Sequence, residues 1–425
     1  MERLAIQGGN PLRGIVRIGG AKNAALPIMA ACLAVEGRTT LRNVPDLTDV
    51  RTLSDVLTRL GLKVTRDVDN HLTIEEGGGP RSQVADYELV RQMRASVCVL
   101  GPLLGRYGEA RVALPGGCQI GHRPLDLHLK GLEALGASIR IEHGDIIASA
   151  TKLRGTTIDL AGPRGSTVTG TCNLMTAAVF AEGETVIEHA AREPEVCDLA
   201  EFLRDCGAII NGHGTETIRI AGSAPLYGTD YAIIPDRIEA ATFMTAVAAT
   251  GGAARIEGLR LDHLESVLEW AAAAGINVKP AGPDAIHVAG GGALKACDFA
   301  ARPYPGIPTD VQAQLSAILC TAPGTSVVVD TVFPDRFLHV PELQRMGAKI
   351  ERDGNRIRIT GVSRLSGTAV RATDLRASAA LVIAGLAAEG TTVIDDLPHL
   401  DRGYEHLDRK LRSLGAKVAR VSAEL

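Results

Sequence analysis

The sequence predicts an α/β protein of two domains, built from six repeats of about 70 residues. Three observations lead there. A short phrase recurs, an apolar stretch followed by Gly and then a strand-like alternation: RLGLKV, ALGASI, DCGAII, AAGINV, RMGAKI and SLGAKV. Its glycines, Gly61, Gly136, Gly207, Gly275, Gly347 and Gly415, are spaced by 75, 71, 68, 72 and 68 residues. At 425 residues, the chain is also longer than a single hydrophobic core usually serves.

Each repeat begins with a strand that starts at a glycine and carries an apolar residue four positions on, as from Gly37 to Leu41, Gly183 to Ile187 and Gly390 to Ile394. A helix follows and ends at the phrase glycine, the residue best suited to the left-handed position after a helix. A strand leaves directly from it. Most repeats then add a closing strand: HLTIEEGG, TIRIAGS, AIHVAGGG or RIRITGV. A second helix starts near QMRASVCVL, VTGTCNLMTAA, PDRIEAATFMTA, PTDVQAQLSAI or TDLRASAALVIA. The sixth repeat stops at AKVARVSAEL, without its closing strand and second helix. RLAIQGG and GGAKNAALPIMAACLA, at the N-terminus, match the missing pieces. One domain is therefore expected over residues 22–234. The other combines 1–21 with 235–425 and is closed by the N-terminal strand.

Composition narrows the function. The net charge is −4 with no long basic run, and aromatics are only 3%, which argues against nucleic acid or an anionic membrane as partner. No uninterrupted apolar run reaches the ~18 residues of a membrane span. The start MERLAIQGG lacks the pattern of a secretory signal. Eight scattered cysteines without a C-x-x-C pair predict a reduced, cytoplasmic protein, with Cys32, Cys98 and Cys320 in the core. There is no P-loop, no dinucleotide fingerprint, no H-E-x-x-H and no G-x-S-x-G. No metal, organic cofactor or obligate protein partner is expected.

The repeats act as internal controls for the unusual residues. From strand glycine to phrase glycine, the second repeat spans 28 residues and the others 23 to 25. The surplus falls in LPGGCQIGHRPLD, so Cys118 lies on an enlarged, glycine-hinged connection, the kind of segment that carries lids and functional side chains. A lone cysteine is otherwise a small buried hydrophobe. At the second-helix starts stand Lys22 and Asn23, Arg94, Asp236 and Arg237, Asp310, and Arg376. Cations there oppose the helix dipole unless an anion is bound. Each alone reads as a surface ion pair; together they point to an anionic ligand. Asp310 also reads as a helix cap in GIPTD.

GGAKNAALP, MRAS, LPGGCQIGHRPLDLH, AAREPE, PDRIE, PTDVQAQ, TVFPDRFLHVPEL, TDLRAS and DRGYE together resemble, over essentially the full length, the enolpyruvyl transferase family in its UDP-N-acetylglucosamine branch. The resemblance implies an inside-out α/β barrel of two domains with three repeats each. It implies transfer of the enolpyruvyl group of phosphoenolpyruvate to the 3-hydroxyl of UDP-N-acetylglucosamine, with release of phosphate and no cofactor. Cys118 would be the proton donor and Asp310 the base. Lys22, Arg94, Arg123, Arg376 and Arg402 would cradle phosphate and carboxylate. Asn23 would accompany Lys22; Arg123, Pro124, Leu125, Asp126 and Leu127 would contact the nucleotide, with Val332 near its sugar end. Cysteine at 118 implies sensitivity to fosfomycin. One departure stands out: many relatives have a lysine before SVGAT, whereas here GSTVTGT places Gly165 at that point, with Arg164 as a substitute. Two other readings remain, a shikimate 3-phosphate transferase of the same fold and a non-catalytic sugar-nucleotide-binding paralogue.

Overall fold

A computed structural model describes residues 2–79, 82–85, 87–90, 93–114, 125–163, 165–222, 225–290 and 292–422. Among them, six four-stranded sheets share one plan. In the second repeat the short strand Val84–Ala85 lies parallel to Glu109–Ala113. That strand runs antiparallel to Asp145–Ser149, which pairs in turn with Ser138–Glu142. The last sheet keeps the plan with a substitution: Ala369–Arg371 is parallel to Thr391–Asp395, and the next strand is Glu2–Gln7, paired on its far side with Lys417–Ser422. Arg13–Arg17 similarly lies parallel beside Ala253–Glu257, and Asp230–Ala232 beside Thr39–Arg42.

Twelve helices alternate in role along the chain. They are α1 (Lys22–Ala31), α2 (Thr48–Arg59), α3 (Leu100–Tyr107), α4 (Asp126–Ala134), α5 (Val168–Ala178), α6 (Pro194–Asp205), α7 (Arg237–Ala249), α8 (Glu265–Ala273), α9 (Thr309–Leu319), α10 (His339–Arg345), α11 (Leu375–Ala387) and α12 (Leu407–Ser413). Even-numbered helices end at the phrase glycines, all six of which have φ between +80° and +113°. The turn at Gly136 shows why glycine recurs. Its amide bonds Glu133 O and the next amide reaches back to Leu132 O, a pairing that needs a left-handed residue at this point. Odd-numbered helices are the inner ones. α7 is buried at every position from Arg237 to Ala248 and α11 from Arg376 to Leu386, as expected of helices apolar on all sides. Helices inside and sheets outside give the inside-out α/β barrel.

One second helix departs from expectation. Arg94–Val99 is a 3₁₀ turn, and α-helical bonding begins at Leu100. Pro102 has no amide to bond the carbonyl of Cys98, so the α ladder cannot extend back through that turn.

The described residues form two compact units, one up to Gly19 and from Pro235 onward, the other from Gly20 to Ile234. Each has three of the sheets and its own apolar core. No helix among the described residues is long and apolar enough to cross a membrane.

Candidate active site

In the unit that contains the C-terminus, Asp310 is the second residue of α9. The capping alternative fails: the helix is entered through Pro308, and the carboxylate turns to two arginines. Oδ1 accepts from Arg336 Nη1 at 2.6 Å and Oδ2 from Arg376 Nη2 at 3.0 Å. Both guanidinium groups are buried, with Arg376 only 1% exposed. Burial of Arg376 is offset by Asp310 and by the Tyr404 ring, 5.4 Å from its guanidinium carbon. Asp374 caps α11 through the amides of Arg376 and Ala377 and so fixes the root of that side chain.

Arg336 extends the cluster. Its Nη1 also donates to Thr309 Oγ1 at 3.2 Å, and that hydroxyl donates to Asp330 Oδ2 at 2.7 Å. The other Asp330 oxygen accepts the amides of Val332 and Phe333 at 2.9 and 2.7 Å. Burial pushes the Asp330 carboxyl up, against these hydrogen bonds. Val332 is thus tied to Asp310 through a polar chain. Arg402 caps the short helix Pro398–Asp401, and two residues on Tyr404 exchanges hydrogen bonds with Thr242 and Gln314. Asp310, Val332, Arg376 and Arg402 therefore belong to one connected neighbourhood. Nε and Nη1 of Arg376 and Nε of Arg336 are buried without a hydrogen-bond partner among the described residues.

In the other unit, Lys22 opens α1 and its Nζ donates to Asp49 Oδ2 at 3.0 Å, with both side chains under a tenth exposed. Asp49 lies in the first turn of α2, where the dipole favours a carboxylate, while the same effect opposes Lys22 on α1. Removing one partner of a buried pair costs about 3–5 kcal/mol. Asp49→Ala should therefore lower stability by that order in urea melts, while Lys22→Met/Asp49→Leu recovers most of it.

Asn23 is exposed, and Arg94 is half-buried at the start of the 3₁₀ turn. Leu125 precedes α4, Asp126 begins it, and Leu125 and Leu127 pack against the core. Cys118, Arg123, Pro124 and Arg164 lie outside the described residues. Gly165 has φ +93° and bonds back to Gly162 O.

Below these residues runs a buried network. Asn173 on α5 accepts the Gly101 amide at Oδ1 (2.9 Å), which orients its amide. Its Nδ2 then donates to Val97 O and to His128 Nδ1, both at 3.0 Å. His128 Nδ1 must be an acceptor, so Nε2 carries the hydrogen and donates to Thr169 Oγ1 at 3.1 Å. Burial, helped by Arg94, pushes the imidazole down to about 3 from 6.5. The unfolded chain thus binds a proton below pH 6.5 that the folded chain refuses. Stability is lost as pH falls from 6.5 toward 3, by about 2 kcal/mol at pH 5. In urea unfolding at pH 7 and 5, His128→Asn should shrink the difference by about that amount.

Seven cysteines are described, and burial pushes up the thiol of each, to about 12 for Cys98, Cys206 and Cys320 and about 11 for Cys197. None of the seven is poised as a thiolate.

Comparison with known proteins fits this geometry. The family model for EPSP synthase (3-phosphoshikimate 1-carboxyvinyltransferase) matches residues 6–411. The chain is 52% identical over 423 residues to UDP-N-acetylglucosamine 1-carboxyvinyltransferase 2 of Carboxydothermus hydrogenoformans, covering 99% of this chain and 100% of that protein. It belongs to the enolpyruvyl transferase family. A second relative, UDP-N-acetylglucosamine 1-carboxyvinyltransferase of Anaeromyxobacter sp., is 51% identical over 427 residues and covers both chains completely. Among solved structures, the enolpyruvyl transferase NikO from Streptomyces tendae superposes with TM-score 0.90 at 28% identity, covering 100% of this chain and 99% of that one. EPSP synthase from Acinetobacter baumannii, at TM-score 0.76, 19% identity and 99% and 100% coverage, shares the fold.

Four residues of this enolpyruvyl transferase escaped the sequence reading: Arg336, Asp49, His128 and Asn173. Arg336 sits inside TVFPDRFLHVPEL, but 26 residues separate it from Asp310 and no helical or strand spacing relates them. Asp49 and Asn173 had no signal beyond being polar on a helix. His128, in RPLDLH, is a histidine on an otherwise apolar face, which a sequence cannot tell from a core residue.

Proposed function

We propose that this enolpyruvyl transferase moves the enolpyruvyl group of phosphoenolpyruvate to the 3-hydroxyl of UDP-N-acetylglucosamine and releases phosphate, the first committed step of peptidoglycan synthesis. The observation that carries the mechanism is the Asp310 carboxylate gripped by Arg336 and Arg376. It pairs an oxygen base with two guanidinium groups whose remaining donors suit an oxyanion. The choice of acceptor is supported by the names of relatives half identical over their whole length.

In this reading the hydroxyl oxygen bonds C2 of phosphoenolpyruvate while its proton passes to Asp310 and the Cys118 thiol protonates the C3 methylene. The tetrahedral intermediate then loses phosphate: the C2–O bond breaks, a proton from C3 returns to the sulfur, and the hydroxyl proton departs with phosphate. Lys22, Arg94, Arg123, Arg376 and Arg402 hold the substrate's phosphate and carboxylate. Asn23 and the segment from Arg123 to Leu127 serve the nucleotide, and Val332 its sugar end. Residues 22–234 and the remainder act as two domains of three repeats each. A sugar-nucleotide substrate and seven uncrosslinked thiols suit the cytoplasm.

One assay separates this from its competitors: phosphate release from phosphoenolpyruvate with either UDP-N-acetylglucosamine or shikimate 3-phosphate. Release with the sugar nucleotide alone is expected, and Cys118→Ala should remove it with an unchanged circular dichroism spectrum. Release with shikimate 3-phosphate alone would reassign the acceptor, and release with neither would leave a binding protein.

A further inference from the structure

We propose that Arg420 is the positioning residue for Arg402, holding that guanidinium in place through Asp401. The proposal rests on the reading of Arg402 as a phosphate-holding group. Arg420 lies on the C-terminal strand Lys417–Ser422, 18 residues from Arg402 and outside every motif of the resemblance. Its fork spans both Asp401 oxygens, Nη1 to Oδ2 at 3.0 Å and Nη2 to Oδ1 at 2.5 Å. Two contacts steady the fork: Nε donates to Asp408 Oδ1 at 3.4 Å and Nη1 to Glu2 Oε2 at 3.3 Å. A two-point guanidinium–carboxylate contact fixes direction as well as distance.

Asp401 ends the four-residue helix Pro398–Asp401, and Arg402 is its cap. So short a helix cannot hold itself in water. Its exit is pinned as well. A Cβ on Gly403 would lie 2.1 Å from Leu375 Cδ1, so the backbone is pressed against the start of α11, and Tyr404 is locked by Thr242 and Gln314. Arg402 is therefore clamped between two anchors, and Arg420 supplies the one on its N-terminal side. An ion pair that only decorated the surface would be worth little; this one sets the aim of a neighbour whose displacement by 1 Å would cost up to ~100-fold in rate.

The test uses the full chain with phosphoenolpyruvate and UDP-N-acetylglucosamine varied separately, in Arg402→Ala, Arg420→Ala, Arg420→Lys and the double variant Arg402→Ala/Arg420→Ala. Arg420→Ala should cut kcat/KM for phosphoenolpyruvate by about 10- to 100-fold with the KM for the sugar nucleotide unchanged. Arg420→Lys keeps the charge and the fold but not the two-point grip, and should fall between. The double variant should be no worse than Arg402→Ala, because Arg420 acts through it. If Arg402→Ala itself leaves kcat/KM for phosphoenolpyruvate unchanged, the reading of Arg402 fails and the proposal with it. If Arg402→Ala is damaging but the two losses multiply, or the Arg420 variants raise both KM values in step, only the positioning role is overturned.

Discussion

Asp310→Ala is expected to abolish measurable turnover and to destabilise the C-terminal unit. Two effects add. The transfer loses its base, a loss typically of 10²–10⁴-fold. The two guanidinium groups, Arg336 and Arg376, also lose the carboxylate that neutralises them, and stranding a buried ion costs about 3–5 kcal/mol. Asp310→Asn separates the two. The amide keeps the shape and can still accept from one guanidinium, but its NH₂ must face the other donor, and it cannot take a proton. Turnover should therefore vanish in Asp310→Asn while much of the stability returns. Single-turnover kinetics beside urea melts will read both. Retention of more than a tenth of the rate by the amide would remove Asp310 from the role of base.

The second large effect concerns the chain's beginning. Removing residues 1–8 takes out a strand paired on both sides, to Thr391–Asp395 and to Lys417–Ser422. Leu4 and Ile6 on that strand are completely buried, worth about 1.5–3 kcal/mol each, before counting the hydrogen bonds opened on both flanks. Against a usual total of about 5–15 kcal/mol, the C-terminal unit should lose its cooperative melting transition. A truncated chain that melts like the full one would contradict the energetic weight given to this strand.

Much of the architecture was legible because the features that build it are periodic. Six glycines recur because the turn from outer helix to strand demands a left-handed residue, and no other residue type meets that demand as cheaply. The inner helices were visible as apolar runs without a polar face. The short parallel edge strands, such as Val84–Ala85 and Thr157–Asp159, were not, since two or three residues carry no readable alternation. The same limit applies to the candidate site. Asp310 and Arg376 announced themselves at equivalent helix starts, where repetition turned ordinary residues into exceptions. Arg336 stands after a strand with no counterpart to compare, and only folding brings it against Asp310. His128 and Asn173 are chosen by what packs around them, which no local pattern encodes.

The pairing of Glu2 with Ser422 has a consequence for how the protein is made. The strand synthesised first waits for the strand synthesised last. By the time Ile234 has emerged, every described strand of the middle unit is present, so that unit can complete its three sheets. Glu2–Gln7 must wait for the remaining 191 residues. At about 5–20 residues per second, that is about 10–40 s on the ribosome with an apolar strand unpaired on both edges. Nascent chains are thus most exposed to strand-to-strand association at their N-termini, and a chaperone that shields that segment would raise the yield of folded protein more than one acting on the finished chain.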